Sequence, residues 1–123
     1  MNRFRKVSRS LIYAFAFLLV AAPAAFAHAH PKTMTPAPDS TGPAPNKISI
    51  TFSEAIEPKF SSIKLTDVEG KSVDPEASVP APGDPTTLTL AVRKLPAGTY
   101  VVRWSNVSVD GHQLQGSYKF TVR

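Results

Sequence analysis

Thr86-Thr87-Leu88-Thr89-Leu90-Ala91-Val92, followed by Pro96-Ala97-Gly98 and then Thr99-Tyr100-Val101-Val102-Arg103-Trp104, reads as strand, turn, strand. Leu88, Leu90 and Val92 fall on one side of the first segment, and Tyr100, Val102 and Trp104 on one side of the second. A period of two is the signature of a half-buried strand, and Pro and Gly between the segments turn the chain. Working outward, Lys47–Phe52 repeats the pattern with Ile48, Ile50 and Phe52 inward, and Ser61–Thr66 with Ile63 and Leu65. Asp67–Lys71 is a turn around Gly70, and Gly116–Val122 aligns Tyr118, Phe120 and Val122.

The remaining stretches are poorer in pattern. Val73–Pro85 carries four prolines and three acidic residues, which predicts a weak edge strand near Ala77–Val79 and then a surface loop. Pro31–Pro45, rich in Pro, Thr and Ala, predicts short extended pieces and turns, and Glu54–Lys59 at most a short helical turn. Strands spaced by Pro and Gly turns make the expected fold all-β, a Greek-key sandwich or barrel of about seven antiparallel strands, immunoglobulin-like or cupredoxin-like. Trp104, Tyr100 and Phe120 belong to its core by strand periodicity, while Glu54 and Glu57 read as solvent-facing.

The first residues do not belong to that domain. Arg3, Arg5, Lys6 and Arg9 precede the apolar run Leu11–Val20, which is shorter than the roughly 20 residues that span a bilayer and leads to Ala25-Phe26-Ala27. Residues 1–27 are thus expected to be a cleaved secretory signal peptide, leaving residues 28–123 as an exported, periplasmic domain without a stable membrane anchor. Ala27-His28-Ala29 offers a second A-x-A cleavage motif, which would expose His30 instead; the cut after Ala27 leaves a c-region of ordinary length after Pro23. Once the leader is removed, ten Lys and Arg face nine Asp and Glu, a formal charge near +1. That excludes the basic footprint of a nucleic-acid binder.

The chain contains no cysteine, and Met34 is the single methionine after residue 27. A soft Cu(I) site wants thiolate or several thioethers, so any metal site here relies on nitrogen and oxygen. The three histidines are His28, His30 and His112. Cleavage after Ala27 makes His28 the first residue, and its α-amine and imidazole can close a chelate ring on Cu(II). One further imidazole completes a T-shaped set of three nitrogens, a histidine brace, which suits the tetragonal preference of Cu(II). The downstream half is expected in Val109-Asp110-Gly111-His112. If that stretch is extended, Asp110 and His112 project to one side, the first as an axial oxygen and the second as the third nitrogen, with Gly111 leaving space. Ser108 and Gln113 are candidates for hydrogen bonds that support the ligands.

Taken together, His28-Ala29-His30-Pro31-Lys32 with Thr35-Pro36-Ala37, Thr51-Phe52-Ser53-Glu54, Ala97-Gly98-Thr99-Tyr100-Val101-Val102-Arg103-Trp104, and Val107-Ser108-Val109-Asp110-Gly111-His112 before Gly116 resemble the CopC family of periplasmic copper-binding, copper resistance proteins. The resemblance implies that family's Greek-key β-barrel and one Cu(II) per chain. His28 takes the brace position, Asp110 and His112 the downstream ligand positions, and His30 an accessory position. It further implies a monomeric, non-enzymatic copper carrier or buffer, serving copper homeostasis or resistance and handing its ion to an inner-membrane transporter of the CopD type. Some members carry a methionine-rich Cu(I) segment, which this sequence lacks, so Cu(II) alone is expected. Two other readings stand beside it: a histidine-brace copper monooxygenase, for which the domain is small, and a copper-free adhesive or assembly sandwich.

Overall fold

The computed structural model describes residues 28–73 and 76–123, so the expected signal peptide lies outside the described residues. Eight strands are present among them: β1 (Pro31–Thr35), β2 (Thr41–Gly42), β3 (Lys47–Phe52), β4 (Ser62–Asp67), β5 (Val79–Ala81), β6 (Asp84–Ala91), β7 (Gly98–Val107) and β8 (Gln113–Val122). They form two four-stranded sheets, ordered β1-β3-β6-β5 and β2-β8-β7-β4. Every pairing is antiparallel except that of β2 with β8. The chain changes sheet at each step from β1 to β5 and again between β6 and β7, so that only β5–β6 and β7–β8 are hairpins within one sheet, as in a Greek-key sandwich.

The alternating residues meet between the sheets. Ile48, Ile50, Phe52, Leu88 and Leu90 from one sheet pack with Ile63, Leu65, Tyr100, Val102, Trp104, Phe120 and Val122 from the other. Burying each such side chain stabilises the fold by about 1.5–3 kcal/mol. Phe52 meets Trp104 edge-on at 5.6 Å between ring centres, and the Tyr100 hydroxyl donates to the Pro96 carbonyl at 2.6 Å.

The count of about seven strands becomes eight because β1 and β2 lie inside the Pro-rich segment. Pro31 opens β1 at the sheet edge, where a missing N–H costs no ladder bond, and β1 pairs along β3 with Met34 opposite Ile50. The weak strand expected at Ala77–Val79 is β5, at the opposite edge and displaced to Val79–Ala81. The last two strands are longer than their apolar alternation suggested, because β7 continues past Trp104 through the polar pair Ser105-Asn106 to Val107.

Gly116 stands opposite Trp104 in the β7–β8 register, and a Cβ built on it would lie 2.6 Å from an indole carbon. Gly116→Ala is therefore expected to destabilise the protein by about 1–3 kcal/mol through overpacking, read as a lowered melting temperature.

Candidate metal centre

One end of the sandwich is closed by the β7–β8 turn and the segment that leads into β1. The turn is Ser108-Val109-Asp110-Gly111, with the Gly111 N–H donating to the Ser108 carbonyl at 2.8 Å and the Ser108 N–H to the His112 carbonyl at 2.9 Å. This corrects the expectation of an extended stretch. Gly111 adopts φ +90°, a conformation that side-chain-bearing residues rarely take, and the chain reverses there. The reversal itself brings Asp110 and His112 together: Asp110 Oδ1 lies 3.1 Å from His112 Nδ1, with both side chains about half exposed.

Ser108, fully buried, donates its hydroxyl in a short hydrogen bond to Asp110 Oδ1 and contacts the His112 carbonyl at 3.2 Å. That hydroxyl first, and His112 second, hold the Asp110 carboxyl down at about 2, so it is ionised wherever imidazoles titrate. With Nδ1 engaged by the carboxylate, Nε2 of His112 is the nitrogen left for a metal, an arrangement in which the carboxylate fixes the ring's orientation. Gln113 makes no hydrogen bond through its side chain to these groups.

The other half is the backbone of residues 28–30, and its anchoring was not anticipated. Ser53, just beyond β3, donates its N–H to the His30 carbonyl at 2.7 Å and accepts from the His30 N–H at 3.0 Å; its hydroxyl also donates to the His28 carbonyl at 3.4 Å. From inside the core, Asn106 Nδ2 donates to the Ala29 carbonyl at 2.8 Å. Ala29 is wholly buried among the core residues, while His28 and His30 are exposed on either side of it. The signal for Asn106 was present: it continues the inward stripe of Tyr100, Val102 and Trp104, and an inward polar residue needs a partner. What the sequence hides is that the partner is 77 residues away.

So held, the His28 ring lies 5.0 Å from the His112 ring, at 74° to it, and 6.0 Å from the His30 ring. Glu54 and Glu57, read as solvent-facing, are half-buried, because their segment is tied to the end of β7 by Glu57 N–H to the Val107 carbonyl at 2.8 Å. Among the described residues no three His, Cys, Asp or Glu side chains are grouped to hold a metal ion. A brace does not need them. The brace expected from the sequence would draw on two imidazoles and one terminal amine, and in the full-length chain the His28 nitrogen is in a peptide bond to Ala27.

A small two-sheet sandwich that gathers its two histidine-bearing segments and an ionised aspartate at one end defines the class: a β-domain that carries exposed imidazoles together at one end. The CopC domain model matches residues 31–123, and the chain belongs to the CopC family. Copper resistance protein C of Escherichia coli is 43% identical over 120 residues, covering 92% of this chain and 90% of the relative. Among solved structures, CopC of Methylosinus trichosporium OB3b superposes with a TM-score of 0.72 at 33% identity, covering 77% of this chain and 93% of that one. The methionine-rich copper resistance protein PcoC of Escherichia coli gives 0.70 at 40% identity, covering 79% and 100%.

Proposed function

We propose that the chain is exported to the periplasm, trimmed after Ala27, and there carries or buffers copper as a non-enzymatic protein of copper resistance or homeostasis. One Cu(II) is held by the amine and imidazole of His28 and the imidazole of His112. Asp110 steadies the His112 ring through Oδ1 and keeps Oδ2 for an axial bond, and His30 is accessory. The observation that carries this reading is the 5.0 Å approach of the His28 and His112 rings, made by two segments anchored separately in the core.

The anchoring also favours the cut after Ala27 over the cut after Ala29. The second would remove a buried core residue and leave Asn106 inside the domain without the carbonyl it serves. It would also take away His28, the ring nearest to His112.

Titration of the exported protein with Cu(II) is expected to saturate at one equivalent. Amine and imidazole donate only when deprotonated, so affinity is expected to fall markedly below about pH 6. Asp110 does not contribute to that fall, since its carboxyl takes up a proton only near pH 2. A flat pH profile, or saturation well away from one equivalent, contradicts the proposed donor set.

A further inference from the structure

The outer face of the β2-β8-β7-β4 sheet carries three cations that make no ion pair among the described residues. Lys64 on β4 stands directly across from Arg103 on β7, and Lys119 on β8 is opposite Val101, two residues from Arg103 on the same face. All three side chains are exposed, and none makes an ion pair among the described residues. The outward positions of β4, β7 and β8 include no acidic residue. Two described acidic residues stand at its margins: Asp67, at the end of β4, accepts the N–H groups of Glu69 and Lys71, and Asp39 lies beside Lys119, its N–H donating to the Lys119 carbonyl at 2.7 Å.

Like charges directly opposite in an antiparallel pair repel, so the Lys64–Arg103 juxtaposition works against the fold that displays it. It is not a by-product of general basicity, because residues 28–123 are close to neutral. Lys64 and Arg103 line a groove of about 410 Å³ together with Ser62, Ser105, Gln115 and Ser117. Guanidinium, ammonium, hydroxyl and side-chain amide are the donors that carboxylates accept from.

We infer that this face docks an acidic segment of a partner protein, with Arg103, Lys64 and Lys119 receiving its carboxylates. A bilayer surface fits less well: the exposed large apolar residues, Phe60, Val68, Val79 and Val109, are not among the outward positions of this face, and three cations alone at an anionic membrane bind more weakly than about 1 mM. The inference is independent of copper and is tested on the metal-free exported protein.

Amide-shift mapping by NMR with a hexaglutamate peptide is expected to move residues 62–66, 101–105 and 115–119, with affinity falling steeply as salt is raised. Arg103→Glu is expected to weaken that binding at least about tenfold while the melting temperature holds or rises, because a like-charge pair becomes an opposite one. Loss of binding is thereby separated from loss of fold. Equal shifts with hexaglutamine, the same shifts with inorganic phosphate at matched charge, displacement of the peptide by phosphatidylglycerol vesicles, or unchanged binding by Arg103→Glu would each overturn the assignment.

Discussion

Capping the His28 α-amine with an acetyl group is expected to weaken Cu(II) binding about a thousandfold, or ~4 kcal/mol. The amine and imidazole of His28 belong to one residue, so once either holds the ion the other is presented at high effective concentration. An acetyl cap turns the amine into an amide, and a single cap removes both a nitrogen donor and the chelate ring. The fold is expected to be indifferent, since Ser53 and Asn106 grip the carbonyls of residues 28–30 and not the terminus itself. Semisynthetic capped and free proteins, compared by competition titration and by melting temperature, make the measurement. Equal affinities would remove the terminal amine from the site and the brace with it.

His112→Ala is expected to cost about a hundredfold in Cu(II) affinity, or ~2.7 kcal/mol, and one nitrogen in the copper spectrum. This variant separates the brace from a simpler competitor. His28-Ala29-His30 places a histidine third from the new terminus, so an amine, two deprotonated backbone amides and the His30 ring can wrap Cu(II) with no help from the domain. That mode needs the His30 nitrogen, which here donates to Ser53 Oγ, and it needs Ala29 to leave the core. Both displacements work against it in the folded protein. Retained affinity in His112→Ala, matched by a short peptide of the same start, would nonetheless establish the competitor.

The strands that carry the core were legible because their chemistry is local. In Lys47–Phe52, Leu88–Leu90 and Tyr100–Trp104 the alternation of apolar side chains states which face turns inward, whatever the rest of the chain does. β1 was legible only as an extended piece, since its Pro and Thr residues become a strand only when β3 supplies the ladder. The C-terminal half of β7 was obscured by Asn106, whose buried Nδ2 finds its acceptor, the Ala29 carbonyl, 77 residues away in sequence.

Composition and order alone determined that this is an all-β chain without disulfides, and that its three imidazoles lie in two places remote along the sequence. They determined the family as well, through motifs spread over the whole domain. Only the tertiary structure decided that those two places meet. Ala29 must be buried and Asn106 must find its carbonyl before residue 28 can lie beside the β7–β8 turn, and only a reversal at Gly111, not an extended strand, brings Asp110 onto the His112 ring. Hydrogen-bond partners far apart in sequence exist only after folding, so no local pattern announces them.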